Sequence, residues 1–378
     1  MINRLYWINK IEAAWKKRSL VWLSGVRRTG KTTLAKMFSE INYYNCDLPS
    51  VVRQMRDPEF FYSNIEKNAI VIFDEVHRLD NPDIVLKIGA DEFSHLKILA
   101  TGSSTLTASS KFKDSLTGRK IQVFFPPVLW NESINDFEIN NLDKRLLFGG
   151  LPEFLLSNTK DDSLYTEWIE SYYARDIQEL FNIKNKNGFL TLFNLLLFQS
   201  GKAFEITTLS KESGLSRPTV MSHLEALQLA NAIHVIKPFY GNGKKEITKQ
   251  PRIYAFDTGF VTYAKRLTVI TDTERGVLWE HLVLDMLKVE YGEVFYWRDK
   301  NKNEVDFVIK GKNNEFMAIE CKINPSKFSP KSIKEFRKLY PIGKNYCFSP
   351  QIRTGYKLSF DNLIVNFVST VKQIIILK

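Results

Sequence analysis

Eight residues constrain this chain more than any others. Gly25-Val26-Arg27-Arg28-Thr29-Gly30-Lys31-Thr32 fits GxxxxGK[ST] at every fixed position. The run before it, Leu20–Ser24 (LVWLS), reads as a buried strand, and the segment after it, Thr32–Ile41, reads as a helix. Strand, glycine-bearing turn and helix is the context in which this spacing cradles phosphates. The glycines let backbone N–H groups turn inward. The first N–H groups of the helix, and its positive dipole end, face the same anion. Lys31 is placed to neutralise phosphate charge, and Thr32, followed by Thr33, to offer a hydroxyl to Mg²⁺.

The second half of such a site is Asn68–Glu75, NAIVIFDE, a strand that delivers two carboxylates at its carboxyl end, where α/β sheets bind ligands. Asp74 is the candidate for holding Mg²⁺ through water, and Glu75 for polarising an attacking water as general base. A third apolar run, Leu96–Thr101, continues into ILATGSS, so Ser103, and less favourably Thr101, is a candidate γ-phosphate sensor. Arg119, just before IQVFF, is a candidate arginine finger or internal γ-phosphate contact. Continuous apolar strands separated by helical stretches predict a parallel sheet covered on both faces.

Length allows two or three domains at roughly 150 residues each. The formal charge of +11 and pI near 9.3 favour an anionic partner. Cys46, Cys321 and Cys347 lie far apart with no CxxC pair, so no zinc site and no disulfide framework is suggested. The charged N-terminus does not read as a signal peptide, and no run approaches the ~18 apolar residues of a membrane span. A soluble, cytoplasmic protein with no membrane partner is expected.

Residues from about 133 to 195 read as helical, with Tyr165–Phe181 the clearest amphipathic segment. Phe204–Ile236 has a helix-turn-helix pattern. Gly214 permits the turn, Ser216 is a good N-cap with Pro218 in the first turn, and Val220, Leu224 and Leu227 form one apolar stripe. Strands HVIKPF and RIYAF around YGNGKKEITKQ would make a wing, and Lys237–Arg266 is strongly basic, with Lys244, Lys245 and Lys249 at its centre. Such a module suits phosphate contact, with Arg217, Thr219, Ser222 and His223 directed at a duplex; the competing reading is a packing or partner module.

Towards the end, Val305–Ile309 and Phe316–Lys322 read as a hairpin. A loop at Lys312–Asn314 sets Asp306 opposite Glu320, so Asp306, Glu320 and Lys322 share one face while Phe307, Ile309 and Ile319 take the other. Two carboxylates held this close call for a divalent cation, and hard oxygens suit Mg²⁺. Glu280, on the preceding helix, is a candidate to complete the shell, and Lys322 to orient or activate the attacking water.

GVRRTGKTTL, IVIFDEVHRL, ILATGSS and SLTGR, followed by PPVLWNE, GGLPEFLL, YYARDIQEL and DTGF, resemble the prokaryotic AAA-type ATP-binding proteins related to the STAND ATPases. The Asp–x13–Glu–x–Lys spacing resembles the PD-(D/E)xK nuclease core, with Val305 in place of the motif's proline. The resemblance implies ATP and Mg²⁺ as cofactors and an α/β fold in four parts. These are a P-loop AAA-type core (1–132), a helical lid (133–190), a winged helix (191–272) and a restriction-endonuclease-like α/β domain (273–378). Two functions are compatible with it. One is an ATP-hydrolysing protein acting on nucleic acid, DNA rather than RNA, with a Mg²⁺-dependent nuclease site. The other is a nucleotide-controlled switch that binds DNA or a protein partner and cuts nothing. Assembly into an oligomer fits either.

Overall fold

The computed structural model describes residues 2–102, 114–241, 250–311 and 314–376. Strands β1 (Leu20–Ser24), β2 (Ile41–Asn45), β3 (Ile70–Asp74), β4 (Lys97–Thr101) and β5 (Lys120–Phe124) form an all-parallel sheet in the order β2-β3-β4-β1-β5. Every residue of β1 is buried, so its apolar run is unbroken rather than alternating. Val21, Leu23, Ile72 and Leu99 pack on one face with Trp7 and Ile11 of the Leu5–Trp15 helix. Leu20, Trp22, Val71 and Phe73 pack on the other with Tyr62, Val85 and Leu86.

The helix behind the glycine-rich turn is shorter than its sequence suggests. It spans Lys31–Ala35, and Ile41 already begins β2. The reversal runs through Glu40, held at φ +52°. Pairing of β2 with β3 outweighs the helical propensity of this stretch.

Residues 142–198 are helical as expected, but the 165–181 segment is not one regular helix. An α-helix over Asp162–Tyr172 passes into a π-helical turn at Tyr173–Gln178. The helix-turn-helix follows, with helices Ile206–Ser213 and Arg217–Leu229, Gly214 at φ +69° in the turn, and Ser216 Oγ accepting from Thr219 N at 3.3 Å. Val220, Leu224 and Leu227 are buried as the stripe requires. His223 is buried too, against Phe189, and so does not face a duplex. The helix packs on both sides of its stripe, a tertiary contact that periodicity alone does not disclose. Lys244, Lys245 and Lys249 lie outside the described residues, as does Ser103.

Strands β6 (Ile233–Pro238) and β7 (Arg252–Ala255) pair antiparallel. They do not end the module. Through Lys237↔Phe295 and Pro238↔Tyr296, β6 joins β8 (Phe295–Arg298), and the sheet continues through β9 (Glu304–Lys310), β10 (Phe316–Cys321), β11 (Asn345–Phe348), β13 (Leu363–Val368) and β12 (Tyr356–Phe360). The order is β12-β13-β11-β10-β9-β8-β6-β7. One sheet therefore runs across residue 272, where sequence alone places a boundary. The long helix Asp272–Tyr291 packs on its β9 and β10 strands. Among the described residues no helix is long and apolar enough to cross a membrane, and the three cysteines are free and buried.

Candidate functional site

The phosphate-binding turn sits where β1 ends. A Cβ on Gly25 would lie 2.1 Å from the Phe125 carbonyl oxygen, so only glycine fits, and Gly30 adopts φ +94° at the start of the helix. Lys31 is folded onto the turn it serves, its Nζ donating to the carbonyl oxygens of Gly25 and Val26, each at 2.9 Å. Burial lowers its pKa, and Glu75 and Asp176 pull it back up.

Register explains the acidic half. Phe73 pairs with Ala100, so Asp74 stands beside Thr101. Asp74 accepts hydrogen bonds from Thr32 Oγ1 at 2.8 Å, from the Tyr43 hydroxyl at 2.7 Å, and from the Thr101 hydroxyl. Thr32 and Asp74, the two sequence candidates for Mg²⁺ at this site, are thus brought together. Their oxygens are hard donors of the type that cation takes. Thr101 was the weaker sensor candidate, yet it is the residue that touches Asp74. Tyr43, on β2, was not singled out in the sequence.

Glu75 follows at φ +56°, its backbone N–H donating to Thr101 Oγ1 at 3.2 Å. Burial raises its carboxyl pKa, opposed by Lys31. His77 Nδ1 lies 3.2 Å from Glu75 Oε2. Burial, aided by Arg78, lowers the imidazole to about 4, so this is a neutral contact, not an ion pair.

The rest of the turn faces the helices above it. Arg27 Nη1 donates to Ser171 O at 2.7 Å and lies 3.6 Å from Asp176 on the π-helical turn. Arg28, at φ +62°, pairs with Glu167 at 2.6 Å. Arg4 donates to the Thr29 carbonyl at 3.0 Å and makes a buried ion pair with Glu132 at 2.7 Å, which also accepts from Trp7 Nε1. Glu132 lies in PPVLWNE, a stretch whose role the sequence did not disclose.

Arg119 does not make the internal γ-phosphate contact. It precedes β5, and Lys120 pairs with Leu20 at the amino end of the sheet, opposite the phosphate turn. It is bound to Asp91 at 2.6 Å and to Ser115 O at 3.2 Å. It does not contact this chain's own phosphate site.

The C-terminal cluster forms with the expected register: Ile319 pairs with Phe307, which puts Glu320 beside Asp306. Asp306 Oδ2 accepts from Cys321 N at 2.7 Å. Lys322 Nζ donates to Glu320 Oε2 at 2.8 Å and lies 4.0 Å from Asp306. Burial raises all three carboxyls, Glu280, Asp306 and Glu320. Burial works against the Lys322 charge, but Asp306 and Glu320 outweigh it and raise its pKa.

Glu280 does not complete a shell. Its Oε2 accepts from the Tyr254 hydroxyl at 3.3 Å, and among the described residues no group of three His, Cys, Asp or Glu side chains is set to hold a metal. β7 supplies the neighbours instead: its Tyr254 bonds Glu280, and its Arg252 pairs with Glu304. Asp306 and Glu320 remain as a two-carboxylate site. It fits a cation in one respect: Glu320 Oε1 is buried with no hydrogen-bond partner.

Comparison with known proteins bears on the domain that carries the first site. Residues 17–134 match the AAA domain family. They form an AAA-type P-loop domain. Domains of this kind bind nucleotide, normally with Mg²⁺, and hydrolyse it. Behind the AAA domain, residues 139–271 and 275–366 match two domains of unknown function, DUF8612 and DUF4143. The uncharacterized protein Rv2008c of Mycobacterium tuberculosis is 23% identical over 313 residues, 80% of this chain and 70% of its own. Its counterpart in Mycobacterium bovis, Mb2031c, matches equally. The Walker-type ATPase PABY2304 of Pyrococcus abyssi is similar at 17% identity and a TM-score of 0.45, over 70% of this chain and 96% of its own. A RuvB of Thermotoga maritima is similar at 15% identity and a TM-score of 0.32, over 62% and 89%.

Proposed function

We propose that this AAA-type protein hydrolyses ATP at the Lys31, Thr32, Asp74 and Glu75 site and acts on nucleic acid through its C-terminal half. Lys31 binds the β/γ-phosphates with the Gly25–Thr33 backbone, and Thr32 and Asp74 hold Mg²⁺. The cation supplies charge neutralisation on the phosphates. Thr101 and Tyr43 fix the Asp74 carboxylate, and Glu75 accepts the proton of the attacking water. The observation that carries this reading is geometric: Thr32 Oγ1 lies 2.8 Å from Asp74 beside the Lys31 turn, and Tyr43 and Thr101 also donate to Asp74. Burial raises the Glu75 carboxyl, the direction a general base requires.

In the C-terminal half, Asp306 and Glu320 would hold a divalent cation, with the partnerless Glu320 Oε1 as the supporting observation. Lys322 would orient water or phosphate there. DNA contact by the helix-turn-helix rests on Arg217, Thr219 and Ser222, which stay outside the apolar stripe. The competing reading, a switch that cuts nothing, has its own observation. Lys322 is already committed to Glu320, and Arg27 links the phosphate turn directly to the helices above.

One experiment separates the readings. ATPase rate is measured with and without DNA, and the same sample is assayed for Mg²⁺-dependent cleavage. ATP turnover with cleavage supports the first. ATP turnover without product on any nucleic acid leaves the switch. No ATP turnover at all would overturn both.

A further inference from the structure

The residue that pairs with Glu320 also lines a cleft. A cavity of about 850 Å³ opens beside Lys322, with Asp143 on one wall and Arg275, Asn324 and Lys327 on the other. One wall belongs to the lid region and the other to the C-terminal region, so the cleft lies between two parts of the chain. Its size is that of a small-ligand pocket, ~300–1,000 Å³.

The cleft is spanned by one contact. Arg275 Nε and Nη2 donate to Asp143 Oδ1 and Oδ2, both at 2.8 Å, across 132 residues of sequence. Asp272 pairs with the remaining nitrogen. The Arg275 fork holds the Asp143 carboxyl below its usual range. A planar guanidinium that grips a carboxylate bidentately grips a phosphate in the same way. Deeper in, Lys322 offers a second cation, and Lys327 at the exposed rim makes no ion pair among the described residues. Arg275, Lys322 and Lys327 therefore put three cations on the cleft lining, beside Asp143 and Asp272.

We propose that this cleft binds the phosphodiester backbone of single-stranded nucleic acid, and that Asp143 competes with phosphate for the Arg275 fork. Asp143 is then an internal competitor that weakens binding until the lid moves away. The proposal rests on the reading that the C-terminal half acts on nucleic acid, but it does not require that the acidic cluster cut.

The test uses the full chain and fluorescent oligonucleotides of one sequence, as single-stranded DNA, single-stranded RNA and duplex DNA. Anisotropy titrations are run with chelator present, so that binding is read without cleavage. Single strands should bind more tightly than the duplex, with a salt slope of about 0.7 per phosphate contacted. D143N should tighten single-strand binding about fivefold or more. R275A should weaken it about tenfold and abolish the D143N gain in the double variant. R275K, which keeps charge but loses the fork, should bind nearly as poorly as R275A; it guards against an R275A variant that fails to fold. Equal binding by D143N and wild type, or a duplex preferred over both single strands, overturns the proposal. A parallel incubation with Mg²⁺ isolates the nuclease reading: single-strand binding with these responses but no product upholds the cleft and removes only the cutting.

Discussion

Asp74 and Glu320 are buried carboxylates near the carboxyl ends of strands β3 and β10, in separate sheets, and their surroundings differ in kind. Asp74 accepts from three hydroxyls, those of Thr32, Tyr43 and Thr101. Neutral donors hold a carboxylate in place without cancelling its charge, so it remains available to a cation. Glu320 has one oxygen on Lys322 and one with no partner. Its burial is compensated by an ion pair instead, and taking a cation there requires Lys322 to give way or share. A pre-oriented site and an internally neutralised site are built from the same residue type by what the neighbouring strand presents.

That contrast can be broken by substitution. The largest effect is expected at Glu75: E75Q should retain ATP while turnover falls ~10²-fold or more, the scale of a positioned proton transfer. An unchanged kcat would move the base elsewhere. D306A is the matching change in the second cluster. Any Mg²⁺-dependent cleavage should vanish while the ATPase rate stays within about twofold, because the two clusters lie on separate sheets. Loss of ATP turnover in D306A would show the two are not independent.

A smaller effect sharpens the first site. T101V removes one donor from Asp74, a hydrogen bond to a charged group worth ~1.5–3 kcal/mol. ATP turnover should fall roughly ten- to a hundredfold with Mg²⁺ affinity lowered, less than for E75Q. Turnover equal to wild type would mean that the hydroxyl network does not position Asp74.

The smallest effect is a control for burial alone. Asp285, on the Asp272–Tyr291 helix, has neither a hydroxyl donor nor a lysine in hydrogen-bond range among the described residues, only His234 Nε2 at 3.8 Å, and burial raises its carboxyl from 3.8 to about 8. A carboxyl whose folded pKa exceeds its unfolded value favours folding in its protonated form. Its contribution is therefore full below about pH 4 and is lost as pH rises towards 8. D285N should flatten the fall in melting temperature between those limits. An identical pH profile in the variant would place the pH dependence on other groups.

Much of this was legible in the sequence for a physical reason. GVRRTGKT and NAIVIFDE are local: each motif carries its strand, its turn and its charge within a few residues, and the parallel order placed Thr101 beside Asp74. The register of Asp306 against Glu320 was readable because a short loop fixes pairing. What was not legible is contributed from a distance. Tyr43 reaches Asp74 from the next strand, Arg4 reaches the phosphate turn from the N-terminus, and Tyr254 reaches Glu280 from β7. The continuation of β6 into the second sheet has no sequence signature, since its pairing with β8 involves two residues. Arg119 illustrates the converse for an internal γ-phosphate contact: SLTGR is close in sequence to β5 but lies at the end of the sheet opposite the phosphate turn.

The central claim is that Lys31, Thr32, Asp74 and Glu75 form a working ATP site, and calorimetric titration of ATP-Mg²⁺ into wild type and K31A tests it most directly. Lys31 Nζ is 2.9 Å from two carbonyl oxygens of the turn that would hold the phosphates. The account predicts saturable one-site binding to wild type and no measurable binding to K31A with its melting transition intact. Wild-type affinity in a folded K31A would contradict it.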